Sequence, residues 1–411
     1  MTGLSAQRTF SPLAWLQGVG TRLAGPLPAN TRHTARIDLA HASLYGVLAA
    51  TLTFMAVILR RLGATPEQVA AYYSLSYVGL VSAGVSMGLM RRFGMQRFAV
   101  TCWLISRSAF IIAALATNAT ALLALTVVFW LLDGWTGPAY TQTIRSVYPD
   151  EQRGRIISTV RLGTATVALI FTPLAGWILD DLGYQVLLPM GGLAGVAAAL
   201  VFARVMRRAG DGLALPSPEK RSALRLLRAN PRFTIYLCSM LLFGLAGLIP
   251  SSLYPIVQVD YLNLSYTEVG LLGLAQSLAW LTGYLVIGRL VDRLGGVRSL
   301  QLVFVVNAIV ILPYVWATQG WMLLPSYVAS GLVTAGVDVA VISTVIQLAE
   351  PGRVTVYATA NSTLVGVRGL IAPFLGPILL SAGVPSAAIF ALSAALTLVG
   401  AAVLIAAARS R

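Results

Sequence analysis

Charge is what this sequence most lacks. Only 10% of its 411 residues are Asp, Glu, Lys or Arg, where a soluble domain carries about 25%. Acids are scarcer still, 14 against 29 bases, leaving a net charge of +15. Hydrophobic residues make up 57% of the chain, and mean hydropathy is +0.79. A water-soluble globule is excluded, and the apolar surface has to face lipid. Cysteine and histidine are down to two each. Cys102 and Cys238 fall inside apolar runs with no disulfide or metal spacing, and read as small packing residues. His33 and His41 both sit near the N-terminus, so no metal and no cofactor are expected. No G-x-x-x-x-G-K-S/T phosphate loop and no H-E-x-x-H occurs. An ATP-driven pump has no engine here, and a membrane enzyme would have no metal cluster. Residues 1–36 also lack an apolar core followed by a small-residue cleavage site, so no signal peptide is expected.

What is present is a succession of long apolar runs. A spanning helix needs about 20 such residues. Runs between polar breaks predict twelve helices over 38–60, 69–89, 98–117, 120–144, 156–180, 185–206, 234–258, 267–290, 299–318, 321–348, 354–380 and 385–408. They are continuous rather than alternating, which excludes a barrel. Of the 29 basic residues, 24 fall on one side of this arrangement; Arg60 and Arg61 fall on the other, and Arg107, Arg161 and Arg368 fall within helices. The positive-inside rule puts the basic side in the cytoplasm with both termini, and the expected location is the cytoplasmic membrane. Topology accounts for the pI near 10.4. A nucleic-acid footprint is therefore not expected, although some attraction to anionic lipid headgroups is.

Residues 207–233 are rich in Arg, Pro and other polar residues, and Ser222 to Asn230 predicts a short amphipathic surface helix. This loop divides the chain into an arm (1–36), a six-helix bundle (37–206), the loop itself (207–233) and a second six-helix bundle (234–408). The halves repeat. Pro173, Gly176 and Gly183 recur as Pro373, Gly376 and Gly383; Arg92-Phe93-Gly94 recurs as Arg293-Leu294-Gly295; Gly154-Arg155 recurs as Gly352-Arg353. Anchors at nearly one offset indicate duplication.

At the end of helix 8 stands Gly288-Arg289-Leu290-Val291-Asp292-Arg293-Leu294-Gly295, followed by Gly296 and Arg298. This resembles the major facilitator superfamily signature G-x-x-x-D-R-x-G, and Tyr148-Pro149-Asp150-Glu151-Gln152-Arg153-Gly154-Arg155 resembles that family's loop between helices 4 and 5. The resemblance covers about residues 38–408. It implies an all-α membrane protein with two pseudo-symmetric six-helix bundles, in which the motif latches the bundles together at the cytoplasmic end. Gly288 would let helix 8 pack closely and Gly295 would allow a tight turn. Asp292 would sit near the start of helix 5 with Arg145 or Arg153 as partner, beside Arg293 and Arg298. The first copy departs from the motif: aligned on Gly94, it has Met87, Arg91 and Arg92 where Gly, Asp and Arg stand in the second. Helix 4 carries Asp133 where drug–proton antiporters have an arginine, and Thr172-Pro173 replaces their Gly-Pro.

Charge within the bilayer costs at least about 2.5–3.5 kcal/mol on insertion scales, so it is paired or functional. Arg107, Asp133, Asp338 and Arg368 qualify, giving each half one acid and one arginine on sequence-adjacent helices. The resemblance puts helices 1, 4, 7 and 10 around a central cavity, making Asp133 and Asp338 candidates for substrate or proton contact. Arg107–Asp133 and Asp338–Arg368 are equally readable as fixed interhelical pairs. Tyr140, Tyr45, Trp135, Tyr254 and Trp280 offer aromatic surface; Gln276, Gln347 and Asn361 offer polar contacts. Asp38 and His41 open helix 1 and are expected to be solvated, though a histidine by a cavity would suit proton coupling. Arg161 is expected at the gate.

The resulting expectation is a secondary transporter, a monomer moving a small molecule by alternating access. Protons are the expected coupling ion, because intramembrane carboxylates titrate. Cavity charge and aromatic content lean toward efflux of amphipathic compounds over uptake or facilitated transport of a metabolite. A non-transporting sensor on the same fold is the remaining alternative.

Overall fold

The computed structural model describes residues 29–209, 230–350 and 353–409. The arm through residue 28, Gly352 and all of the anticipated surface helix except Asn230 lie outside them. The described backbone is almost entirely helical, since a bilayer leaves N–H and C=O groups no partners but one another. The spans are α1 (Asn30–Arg61), α2 (Pro66–Val81 with Gly84–Phe93), α3 (Met95–Leu115), α4 (Ala119–Val147), α5 (Gln152–Asp181) and α6 (Tyr184–Ala209), then α7 (Pro231–Leu248), α8 (Tyr266–Leu294), α9 (Gly296–Val315), α10 (Gly320–Leu348), α11 (Val356–Ser381) and α12 (Ser386–Ile405). Eleven are each long and apolar enough to cross a membrane; α2 becomes the twelfth if its two pieces, bent by 59°, are one span. The break lies at Ser82, whose hydroxyl returns to the Val78 carbonyl at 2.7 Å and accepts the Trp135 indole N–H at 2.8 Å. Leu115, Ile170 and Leu285 are 79%, 67% and 65% exposed, an apolar surface that suits lipid.

Helix α1 packs on α5 and α6, α3 on α4 and α6, and α2 on α4; α7 packs on α11 and α12, α9 on α10 and α12, and α8 on α10. The two sets meet along α5–α8 and α2–α11. Gly94 and Gly295 turn the chain at φ 84° and 80°, and Gly183 and Gly383 at 80° and 86°, a region where a Cβ is strained. The duplication extends to local devices not apparent from sequence spacing. Gly63 and Asn263 both have positive φ, and each is followed by a capping box, Thr65 with Gln68 and Ser265 with Glu268. Side chain and backbone there satisfy two orphan donors at once.

One hydrophobic cluster joins both halves, running from Phe54, Val57 and Leu179 to Ile249, Val257 and Tyr266. It lies at the end opposite the chain termini. Toward the terminal end the core splits in two. Met90, Trp103, Tyr148 and Phe202 form one cluster in the first half; Phe233, Phe304 and Tyr357 form another in the second. The bundles are thus joined at one end and separate at the other.

Candidate functional site

Helices α1, α3, α4 and α5 enclose a cavity of about 400 Å³ whose walls carry Asp38, His41, Tyr45, Arg107, Asp133, Tyr140 and Arg161. The Arg107 guanidinium lies 3.8 Å from the Asp133 carboxylate and donates to the Gly195 carbonyl at 2.9 Å. Gly195 makes that reach possible, because a Cβ there would fall 3.2 Å from the arginine stem. The rings of Tyr45 and Trp103 flank the guanidinium at 5.4 and 5.5 Å, within cation–π range. Tyr140 stacks on Phe202 at 5.2 Å.

Asp38 and His41 depart from expectation. They are not solvated at the interface but buried, 1% and 8% exposed. Packing of α1 on α6 sets the His41 ring edge-on to Phe202 at 4.7 Å. Tyr148, just past α4, donates to Asp38 at 2.8 Å. Burial, with the carboxylate alongside, pushes the Tyr148 phenol above its usual range, so it remains a donor. One oxygen of Asp38 and Nδ1 of His41 are buried with no partner among the described residues, which is unusual unless a ligand or proton completes them. Arg161 also faces this cavity rather than standing with the gate.

A second cavity, about 510 Å³, lies between the bundles. Its wall combines Tyr73, Thr172, Gln258, Gln276, Tyr314 and Tyr327, and Trp280 borders both cavities. Gln258 sits in a π turn at Val257–Tyr261, a local widening common at functional positions.

Asp338 and Arg368 do not form an ion pair. Asp338 accepts from the Tyr284 hydroxyl, while Arg368 donates to the Met240 carbonyl. A Cβ on Gly244 would collide with the Arg368 guanidinium, so the arginine is wedged across α7. Equal depth on neighbouring helices did not suffice, because the two side chains turn to different neighbours. Neither residue lines the two cavities. Gln276 donates to Ser330 at 3.1 Å, Tyr236 donates to Asn361 at 3.0 Å, and Gln347 accepts from the Val297 amide at 3.4 Å. Cys102 is buried, but Cys238 is exposed, against its reading as a packing residue.

The motif at the end of α8 is unlatched. Asp292, Arg293 and Arg298 are exposed, and among the described residues no ion pair joins Asp292 to Arg145 or Arg153. Arg153 donates instead to the carbonyls of Arg145 and Tyr148 at 3.0 and 3.1 Å. Gly295 makes its turn, but a Cβ at Gly288 would meet nothing within 4 Å, so the expected close packing is absent with the bundles apart here. The closed end holds a different latch. Arg60 pairs with Asp260; Arg61 lies 3.7 Å over the Tyr266 ring and donates to the Leu264 carbonyl. Asp180 accepts from the Tyr266 and Thr267 amides at 3.0 and 2.7 Å, and lies 3.9 Å from Arg61. Gly176 passes so close that a Cβ would stand 2.5 Å from the Tyr266 carbonyl. Sequence reading missed Asp180 and Asp260; their place beside Arg60 and Arg61, at the one end with few charges, was the available signal.

Among the described residues, eleven or twelve spans in two repeated bundles around a central cavity define the two-bundle class of membrane transporter. The family model of the Major Facilitator Superfamily matches residues 37–265 and 250–411, and the chain belongs to that superfamily. It is a multi-pass membrane transporter and not an enzyme. No curated protein matches it in sequence. It is similar in fold to solved transporters. The nucleoside transporter NupG is 14% identical with a TM-score of 0.62, over 93% of this chain and 100% of that one. An auto-inhibited peptide transporter of the POT family is 11% identical with a TM-score of 0.71, over 92% and 97%. A bacterial homologue of the human lysosomal transporter Spinster, inward-facing and occupied, is 13% identical with a TM-score of 0.63, over 94% and 98%.

Proposed function

We propose that this protein is a proton-coupled exporter of a small molecule, working by alternating access in the cytoplasmic membrane with both termini inside. The observation that carries it is the Arg107–Asp133 pair at 3.8 Å in a cavity that also holds buried, incompletely partnered Asp38 and His41. A carboxylate so placed exchanges a proton for its arginine: protonated, it releases Arg107; ionised, it holds it. Arg107 bridges α3 to α6 through Gly195, so the choice is felt by helix packing. The joined end, opposite the basic one, supports an inward-facing state of the kind named for the Spinster homologue. Closure of the basic end would bring Asp292 toward α5. The other charged and titratable groups facing the site are Arg161, Tyr45 and Tyr140.

The test is flux in proteoliposomes under an imposed pH gradient. Asp133→Asn is expected to fold, to bind solute and to lose its dependence on the gradient. Gradient-driven transport at the wild-type rate in that variant would sink the coupling role of Asp133.

A further inference from the structure

We propose that the cavity between the bundles is built for an uncharged, planar solute with hydrogen-bonding edges, held apart from the charged proton site. The inference rests on the transporter reading above and adds the chemistry of the cargo. None of the residues lining this cavity is ionised at neutral pH. Its polar capacity comes from amides and hydroxyls with defined roles. The Gln258 amide donates to Tyr314 and Tyr327 at 2.9 and 3.0 Å. That occupies both of its N–H bonds and leaves its carbonyl oxygen as an acceptor. The Tyr314 and Tyr327 hydroxyls also bond to one another, so between them one phenol proton is left to donate. Gln276 repeats the device by donating to Ser330 at 3.1 Å, with its carbonyl and the serine proton left over. Most of the remaining hydroxyls are spent on their own helices, as in Thr172 to Ala168 at 2.7 Å and Thr334 to Ser330 at 2.8 Å. The walls therefore present aromatic faces and a few neutral donors and acceptors.

An ion stripped of its water in such a chamber finds no opposite charge, and burying an unpaired charge is heavily disfavoured. A flat neutral molecule loses little water and gains ring contact with Tyr73, Tyr254, Tyr314 and Trp280. The volume of about 510 Å³ lies in the range of small-molecule sites, about 300–1,000 Å³. Arg107 and Asp133 stand in the adjoining cavity, which shares the Trp280 wall with this one. Solute and proton thus have separate seats with one shared wall.

Three fluorophores with one ring system test this on the purified full-length protein. Dansyl amide is uncharged at neutral pH, dansylglycine is an anion and dansylcadaverine is a cation. Dansyl amide is expected to bind with blue-shifted, tryptophan-sensitised emission, at least roughly tenfold more tightly than either charged analogue. Trp280→Phe is expected to lower the sensitised signal. Gln276→Leu and Ser330→Ala, both at partly exposed positions, are each expected to weaken binding by about two- to tenfold, the worth of one hydrogen bond. Equal or tighter binding of a charged analogue overturns the proposal. So does failure of dansyl amide to bind, or binding that neither substitution weakens. Flux separates this from the transport reading. Dansyl amide that binds as expected but does not move with the pH gradient refutes the coupling and leaves the solute class standing. Gradient-driven flux of a charged analogue in its place refutes the solute class and leaves the coupling.

Discussion

Arg107 is asked to satisfy four neighbours with one guanidinium. It bonds the Gly195 carbonyl, faces Asp133 at 3.8 Å and lies between two aromatic rings. A structural pair and a working one respond differently to the removal of a partner. Arg107→Gln leaves Asp133 without its counter-charge, and is expected to destabilise the protein by up to about 3 kcal/mol. The low end of the range applies, because the Asp133 side chain is 22% exposed. The double variant Arg107→Gln/Asp133→Asn removes both charges, and is expected to recover thermal stability without recovering gradient-driven transport. Recovery of both would make the pair structural. Arg368 offers the contrast: its contact is a backbone carbonyl, so nothing at that position is expected to respond to a change at Asp338.

At the scale of elements, the ends of α1 and α5, the π turn at Val257–Tyr261 and the start of α8 converge on a latch of opposite charges. Partly exposed pairs of this kind contribute only about 0.2–1 kcal/mol each, but Asp180 also caps α8, and an acid at a helix N-terminus adds about 0.3–1 kcal/mol. Arg60→Ala/Arg61→Ala is therefore expected to loosen the closed end by several-fold in population without unfolding the chain. The measurement is labelling of Gln276→Cys, in the cavity behind the latch, by a maleimide that cannot cross membranes. Faster labelling from outside is the expected outcome; an unchanged rate would show that apolar packing alone holds that end shut. The broken α2 and the π turn after α7 belong to this scale as well. Each sets polar side chains, Ser82 and Gln258, where a regular helix would direct them elsewhere.

At the scale of the whole molecule the prediction concerns orientation. On the proposed topology Gln319→Cys reacts with the same reagent from outside, and Arg298→Cys reacts only after the membrane is permeabilised. The exposed native Cys238 lies within α7, in lipid, and is not expected to contribute. The reverse pattern would overturn the orientation and, with it, the assignment of the open end as inward-facing.

The sequence by itself determined where most of the helices run, that the halves are copies and which end carries the charge; it carried helix 7 on to residue 258, whereas α7 stops at Leu248, and it did not show the break in α2. The properties it determined are local or additive. Hydropathy sums along a segment, Gly94 and Gly295 fix their own turns, and basic residues count wherever they fall in a loop. Even here some devices were illegible, because Thr65 and Ser265 lie between long apolar runs and look like ordinary loop residues. The tertiary structure decided who meets whom. It drew Asp38 and His41 inward to join Asp133, and sent Asp338 to Tyr284 instead of Arg368. Among the described residues it left Asp292 unpaired while Arg60 and Arg61 found their partners. Those outcomes depend on the rotation of each helix about its axis and on the angle between the bundles. A helix turns a side chain through about 100° per residue, so depth along the chain says little about direction. The angle between the bundles is a property of one conformational state, which many distant contacts set together.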